Sequence, residues 1–295
     1  MDLISHNSSL SSLHMMDLDT GTNETSWLHT ILPYIEHPQH KGDTDHWLFL
    51  ESPYSTLVTA AVYLAFTLRV GPWLMENRKP ISIKYLLIAY NFALSAFSTL
   101  WVLEALFTPS LLHSILFKSC HISKHVIFPE LSSTDRTKVN ILMWLYYFSK
   151  LVELMDTVLF IIRKKQSQVT FLHVYHHTNM AVATWFFLKY NRNEQIMLIG
   201  IMNSVVHAIM YFYYMLSAMG PAVQKYLWWK KYLTSLQLLQ FVVLISYYGM
   251  LLLNSCDVSR SFTVFSVFNT ASFLFLFLNF YWKTYLVKQK SAKKE

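Results

Sequence analysis

Three histidines lie close together near the middle of this 295-residue chain, in the stretch His173-Val-Tyr-His176-His177. Residues three or four positions apart share one face of an α-helix, so the three imidazoles are expected to point the same way. Imidazoles grouped in this manner can hold a metal ion, exchange protons near neutral pH or act as nucleophiles. The cluster is therefore the first candidate for a catalytic site.

Further polar side chains interrupt the neighbouring apolar stretches at helical spacing. Such groups are costly inside a membrane and usually face a cavity or one another. Some of them could have structural roles: Lys150 and Glu153 could form a buried ion pair, and Gln237 and Gln240 could join helices. His207, taken alone, could be a hydrogen-bonded packing residue. The set comprises Lys150, Glu153, Asp156, Asn203, His207, Tyr211, Gln237 and Gln240.

The composition indicates a membrane protein, because 54% of the residues are hydrophobic and 14% are charged. A soluble domain would carry roughly a quarter charged residues. Apolar runs long enough to cross a bilayer predict seven helices, over about 54–75, 85–107, 139–162, 170–188, 195–216, 232–253 and 262–282. We expect an all-α seven-helix domain over residues 53–286, after a partly disordered lumenal segment 1–52 and before a basic tail 287–295.

The distribution of Lys and Arg predicts the orientation. The loops after the first, third and fifth predicted helices and the tail carry fourteen basic residues, against eight on the other side. The C-terminus is therefore expected in the cytosol and the N-terminus in a lumen. Asn7 and Asn23 lie in Asn-x-Ser/Thr sequences, which a lumenal segment would expose to glycosylation. Cys120 and Cys256 fall on the lumenal side, where they either form a disulfide or stay unpaired.

The helix directions bring the polar groups to one depth. The third and fifth helices run toward the cytosol and the fourth and sixth run away from it. Asp156, His176, His207 and Gln237 consequently all fall in cytosolic halves, which predicts one polar chamber. The net charge of +7 suits membrane topology or an anionic ligand at the mouth of this chamber better than nucleic acid. The basic residues at that mouth are Arg163, Lys164, Lys165, Lys230 and Lys231.

The number of cytosolic histidines separates two chemistries. A membrane di-iron desaturase or hydroxylase needs several histidine boxes on that side. Apart from the cluster and His207, the histidines of this chain lie in the N-terminal segment or the second loop, which are predicted lumenal, so a di-iron centre would lack ligands. A single metal ion held by the cluster and a carboxylate stays open, as does a seven-helix receptor or transporter.

Four polar motifs, in their order and on their predicted helices, resemble those of the very-long-chain fatty acid elongases. They are Lys150…Glu153…Asp156-Thr157, His173-Val-Tyr-His176-His177, His207-Ala-Ile-Met-Tyr211 and Thr234-x-x-Gln237-x-x-Gln240. The resemblance extends over residues 50–285 and is greatest to the animal subgroup that acts on long and very long chains. It implies a 3-oxoacyl-CoA synthase, which condenses a long-chain acyl-CoA with malonyl-CoA and releases CO2 and CoA. It further implies a seven-helix bundle around a closed acyl tunnel, in the endoplasmic reticulum membrane.

The resemblance also implies roles for residues. The family mechanism passes through an acyl-imidazole on the middle histidine, which is His176, with His207 close by. Glu153 or Asp156 would orient or deprotonate a histidine, while His173 and His177 would stabilise developing negative charge. The residues expected to bind substrate are Lys150, Asn203, Tyr211, Gln237, Gln240, Arg163, Lys164, Lys165, Lys230 and Lys231.

The resemblance implies no cofactor and no metal ion, since both CoA thioesters are substrates. Expected partners are the lipid bilayer and the reductases and dehydratase of the elongation cycle, with a homo-oligomer open. A metal-dependent lipid hydroxylase or desaturase remains the principal alternative, and a chelator separates the two. Preferred chain length depends on the side chains that close the tunnel, which the sequence does not identify.

Overall fold

The computed structural model describes residues 47–118, 120, 131–254, 256 and 259–287. Within these ranges the chain forms helices and turns, and no β-strand occurs, so the predicted all-α class is confirmed. The long helices are α1 (Pro53–Met75), α2 (Lys84–Leu106), α3 (Ser133–Glu153), α4 (Met155–Ile162), α5 (Phe171–Tyr190), α6 (Glu194–Ala218), α7 (Lys230–Leu253) and α8 (Arg260–Tyr281).

Shorter helical pieces complete the described chain. They are a π-helical turn within α1 (Phe66–Val70), a short helix (Leu111–His113) that continues as a π-helix (Ser114–Lys118), a 3₁₀ turn (Gln166–Gln168), a helical turn (Pro221–Gln224) and a π-helical extension of α8 (Trp282–Val287).

Five helices are long and apolar enough to cross a membrane, so the chain is a multi-pass membrane protein. These are α1, α2, α6 from Ile196, α7, and α8 with its extension to Val287. The other two predicted spans coincide with α3–α4 and with α5. Both are helical, but they carry most of the ionisable residues of the predicted chamber, which lowers their hydropathy.

The third predicted span differs from the expectation of one helix over 139–162. It begins earlier, because the Ser132 side chain accepts the Asp135 N–H at 3.1 Å and donates to its carboxylate at 2.7 Å, which caps α3. It is also interrupted at Leu154, whose N–H bonds to Leu151 O only three residues back. The tight turn ends α3 directly after Glu153 and starts α4.

The start of α5 determines how the histidine cluster is presented. Thr170 has extended backbone dihedrals, and its side chain accepts the N–H of His173 at 3.2 Å. An N-cap of this kind satisfies one of the free N–H groups of the first turn. The cluster therefore occupies the first two turns of α5, with its rotational position set by the cap.

The helices pack so that α5 lies between α1 and α3, α2 lies along α6, and α7 lies along α8. The contact of α2 with α6 is close at Gly200, where an added Cβ would come within 2.9 Å of the Trp101 ring. Trp101 also donates from Nε1 to Leu142 O at 2.7 Å, which joins α2 to α3. These contacts hold together the helices that surround the polar residues.

At the opposite end of the bundle from Thr170, Cys120 and Cys256 form a disulfide, the pairing expected if both face one compartment. It connects the segment after α2 with the segment after α7. The predicted glycosylation positions Asn7 and Asn23 lie outside the described residues, as do the tail from residue 288 and nearly all of the predicted N-terminal segment.

Candidate active site

A cavity of about 600 Å³ lies among α2, α4, α5, α6, α7 and α8. It corresponds to the predicted chamber, because polar residues from the third, fourth, fifth and sixth predicted spans lie in its wall. All three cluster histidines line it. The other predicted site residues in its lining are Asp156, Asn203, His207, Tyr211, Gln237, Gln240, Arg163 and Lys230.

Some predicted substrate-binding residues lie elsewhere. Lys164 donates from Nζ to the Glu76 carbonyl at 3.0 Å. Lys231 lies over the Tyr281 ring, with its Nζ 5.7 Å from the centroid, and Lys165 is exposed. None of these three lysines is in the cavity lining, so Arg163 and Lys230 are the cations in its wall.

The cluster histidines contact one another as well as the cavity. The ring centroids of His173 and His177 are 4.3 Å apart, and those of His176 and His177 are 5.4 Å apart. His177 Nε2 lies 3.9 Å from a carboxylate oxygen of Asp156. His176 packs against Phe273 on α8, with centroids 5.1 Å apart. The middle histidine therefore has an apolar neighbour on one side and imidazole on the other.

Lys150 and Glu153 lie behind the cavity wall as a buried ion pair, with Nζ and Oε1 2.8 Å apart. Lys150 also donates to Asn203 Oδ1 at 2.9 Å and lies over the Tyr146 ring. Tyr146 donates to the same Asn203 oxygen at 2.9 Å. Because Oδ1 already accepts twice, the amide nitrogen of Asn203 is the group left to donate to a bound molecule.

Glu153 also reaches the second histidine of the site. Its Oε1 lies 3.3 Å from Nδ1 of His207, a lining residue. A carboxylate beside one ring nitrogen favours the proton on that nitrogen. The contact does not have hydrogen-bond geometry, so the carboxylate acts on His207 through its charge, which favours a proton on Nδ1 and a lone pair on Nε2.

Asp156 takes part in a second polar contact. Tyr211 on α6 donates to its Oδ2 at 2.8 Å. Tyr211 therefore orients the carboxylate that lies beside His177.

Gln237 on α7 has Met210 Sδ 3.5 Å from its Nε2, a weak contact that leaves the amide available.

Two hydroxyl residues, which the sequence analysis did not name as site residues, adjoin the histidine cluster. Thr157 Oγ1 on α4 lies 2.9 Å from His173 Nε2, and Tyr63 on α1 lies 2.7 Å from the same Thr157 oxygen. Thr157 belongs to the polar stretch that begins at Lys150, so its position next to Asp156 was a signal. Tyr63 lies in an ordinary apolar helix, and nothing in its sequence surroundings indicated this contact.

A second cavity of about 60 Å³ adjoins the first. The two share His176, Asn203, Gln240 and Phe241 in their walls. The second is mainly apolar, and its lining runs along α5 from His176 to Phe187. His176 therefore lies where the larger cavity, which contains the polar site residues, meets a smaller and more apolar one, and this suits a reaction at the polar end of a hydrocarbon chain.

In the part of the chain that the structure describes, no three His, Cys, Asp or Glu side chains are arranged to hold a metal ion. The carboxylates nearest to the histidines already have partners, since Glu153 pairs with Lys150 and Asp156 accepts from Tyr211. The arrangement can supply nucleophilic imidazole, a second imidazole with a free lone pair, and several donors for an oxyanion.

Comparison with known proteins gives one family. The profile of the ELO (GNS1/SUR4) family matches residues 48–294. Very long chain fatty acid elongase 7 of Rattus norvegicus is 40% identical over 251 residues, which are 84% of this chain and 87% of that protein. Very long chain fatty acid elongase 4 of Homo sapiens is 39% identical over 248 residues, covering 83% and 76%. A relative named elongase 7 from Drosophila melanogaster is 37% identical over 251 residues, covering 85% and 74%.

Proposed function

This chain belongs to the ELO (GNS1/SUR4) family of fatty acid elongases, and we propose that its histidine cluster makes the new carbon–carbon bond through an acyl-imidazole. The activity at the family level is that of a 3-oxoacyl-CoA synthase, an acyltransferase acting on acyl-CoA and malonyl-CoA in a membrane. The observation that carries the mechanism is the position of His176 in the walls of both cavities.

The first step is acyl transfer to His176. A nitrogen of its neutral imidazole attacks the thioester carbonyl carbon, and the carbon–sulfur bond breaks. The departing CoA thiolate gains the proton that the imidazole loses, so free CoA and a neutral acyl-imidazole result. The oxygen becomes negatively charged on the way, and His173, His177 and the amide of Asn203 are the donors proposed to stabilise it.

The second step is decarboxylative condensation. Malonyl-CoA loses CO2, and the electron pair of the broken bond forms an enolate that attacks the acyl carbon. The carbon–nitrogen bond to His176 then breaks, the electron pair returns to the imidazole, and one proton taken up from water restores the neutral ring. His207 is the proposed partner of the malonyl group, because it lines the larger cavity and has the Glu153 carboxylate 3.3 Å from its Nδ1.

The two cavities suit the two ends of the acyl-CoA. We assign the larger cavity, which contains the polar site residues, to the pantetheine and malonyl groups, with Arg163 and Lys230 near the phosphates. We assign the smaller and more apolar cavity to the hydrocarbon chain. Its lining residues on α5, from His176 to Phe187, span about 16 Å along the helix axis, but its volume of about 60 Å³ holds only a few methylene groups, so the cavity must widen to take a long acyl chain. Together the cavities would form the enclosed acyl tunnel of a seven-helix bundle.

We further propose the endoplasmic reticulum membrane as the location, with seven spans, a lumenal N-terminus and a cytosolic C-terminus. Supporting this, Arg163 and Lys230 lie at helix ends on the side opposite to the Cys120–Cys256 disulfide. A test is glycosidase treatment of protein made in cells. A mobility shift that is abolished by substituting Asn7 and Asn23 supports this orientation, and an unglycosylated protein with a protected C-terminus contradicts it.

The proposed chemistry needs no cofactor and no metal ion. The 3-oxoacyl product must be reduced and dehydrated before another round, so the reductases and dehydratase of the cycle are the proposed partners, and a homo-oligomer is compatible with the exposed apolar helices. Full condensation activity in the presence of a chelator is expected. Loss of activity that added metal restores would instead support the hydroxylase or desaturase alternative.

The mechanism is tested by mass spectrometry of the purified protein after incubation with a long-chain acyl-CoA alone. An acyl adduct on His176 is expected, with release of one CoA per adduct. His176→Ala should abolish both the adduct and condensation, while Tyr147→Phe, which changes a buried tyrosine that lines neither cavity, should retain both. Normal condensation by the wild type without any adduct would refute the covalent route.

A further inference from the structure

Helix α1 contributes no residue to the lining of the larger cavity, yet it contacts the catalytic cluster through hydroxyl groups. Tyr63 of α1 has its hydroxyl 2.7 Å from Thr157 Oγ1. That oxygen lies 2.9 Å from Nε2 of His173. The three side chains form a continuous chain of hydrogen bonds, named here the hydroxyl relay, which begins at a helix outside the cavity and ends on a cluster imidazole.

The relay is a buried contact and not a surface one. Tyr63 is 5% exposed and Thr157 is fully buried. Hydroxyls at such positions keep their hydrogen bonds, because water cannot replace a lost partner. The hydrogen bond to Thr157 engages Nε2 of His173, which leaves Nδ1 as the ring nitrogen for a substrate atom.

The chemistry of the three groups favours one direction for the protons. A phenol is a stronger donor than an aliphatic hydroxyl, and an imidazole nitrogen is the strongest acceptor of the three. Tyr63 therefore donates to Thr157, and Thr157 donates to His173 Nε2. Since a neutral imidazole carries one proton, that proton is then on Nδ1.

We propose that Tyr63 and Thr157 are positioning residues, which hold His173 in the tautomer that donates from Nδ1 to the substrate oxygen as it gains charge. This inference rests on the acyl-imidazole mechanism for the role of His173. It assigns α1 a part in catalysis although its side chains lie outside the cavity wall. The relay sets the tautomer of His173 through hydrogen bonds, whereas Glu153 acts on that of His207 through its charge.

The chain offers a matched control. Tyr147 on α3 bonds to Thr56 of α1 at 2.6 Å, so a second buried tyrosine–threonine pair also joins α1 to the third predicted span. That pair has no described hydrogen bond to a histidine. Tyr147→Phe also removes a buried tyrosine hydroxyl that bonds to a threonine. It therefore shows how much kcat falls when α1 loses a hydrogen bond to the third predicted span that does not lead to a histidine.

The test compares kcat and KM for both CoA substrates in the full-length protein. Tyr63→Phe and Thr157→Val should each lower kcat by about tenfold with KM unchanged, the factor that corresponds to the net free energy of about one hydrogen bond. Thr157→Ser should restore kcat, because it keeps the hydroxyl. The double substitution should be no worse than Thr157→Val alone, because one relay is broken once.

Three outcomes overturn the relay, two of them kinetic. One is a kcat for Tyr63→Phe equal to that of Tyr147→Phe, and the other is a Thr157→Ser protein as slow as Thr157→Val. Thermal stability of every variant is measured alongside, and a tenfold loss of kcat that merely follows the loss of folded protein also refutes the proposal. Acyl adduct formation on wild-type His176 is scored separately, so a missing adduct refutes the covalent mechanism without deciding the relay.

Discussion

The buried ion pair behind the cavity wall permits the sharpest test of stability. Lys150 is 2% exposed, and its Nζ lies 2.8 Å from Glu153 Oε1 and 2.9 Å from Asn203 Oδ1. Lys150→Met keeps most of the side-chain volume and removes both hydrogen bonds and the charge. Glu153 is then left as a buried anion without a counter-charge other than what the His207 imidazole supplies, a situation that costs about 3–5 kcal/mol.

The magnitude can be compared with that of an exposed pair in the same chain. Lys138 and Glu104 are 2.6 Å apart, with side chains 39% and 57% exposed, so Lys138→Met should cost less than about 1 kcal/mol. With a shift of about 2–4 °C per kcal/mol for a domain of similar size, Lys150→Met should lower the melting temperature by on the order of 10 °C. Lys138→Met should lower it by no more than about 4 °C.

The assay is thermal unfolding of the detergent-solubilised protein, followed by tryptophan fluorescence and by the elution volume after heating. The double variant Lys150→Met with Glu153→Gln should regain most of the lost stability, because no charge is left buried. It should remain inactive, because the carboxylate beside His207 is gone. The ion pair does not have the proposed structural role if Lys150→Met and Lys138→Met have the same melting temperature. The same conclusion follows if the double variant has a melting temperature no higher than that of Lys150→Met.

Three further predictions concern packing, substrate binding and product length. Gly200→Ala should destabilise the α2–α6 contact by about 1–3 kcal/mol in thermal unfolding through overpacking, whereas Gly249→Ala, with nothing within 4 Å of the new Cβ, should not. Arg163→Gln should raise KM for both CoA substrates several-fold at little changed kcat, and Lys164→Gln, outside the cavity wall, should leave KM unaltered. Phe187→Ala should shift the products of a graded acyl-CoA panel toward longer chains, and an unchanged distribution would remove Phe187 from the end of the acyl site.

The apolar helices were predictable because their cause is local. A run of about 20 apolar residues forms a helix across a bilayer whatever surrounds it. The bounds of α2 and α7 accordingly lie within about two residues of the predicted ones. The third span was harder, since the cap at Ser132 and the interruption at Leu154 depend on single hydrogen bonds that hydropathy does not register.

The sequence does not show which polar residues contact each other, because those contacts depend on the position and rotation of each helix relative to its neighbours. Lys150 lies in the third predicted span and Arg163 directly after it. Sequence reasoning assigned Arg163 to substrate and left Lys150 open between substrate contact and a buried ion pair with Glu153. The structure has Arg163 in the cavity wall, while Lys150 lies behind it and bonds to Glu153 and Asn203. Helical periodicity gives the direction of a side chain around its own axis but not the rotation of one helix against another.

The sequence by itself determined that this is an all-helical membrane protein and that three imidazoles share one helical face. Its motifs also indicated the elongase family. Only the tertiary structure decided that Tyr63 contacts Thr157 and through it His173, or that His176 lies between the larger cavity and the smaller, more apolar one. The physical reason is that backbone hydrogen bonds and hydropathy act within one helix. Hydrogen bonds between helices require the relative rotation and depth of both partners, and packing of the whole bundle sets these.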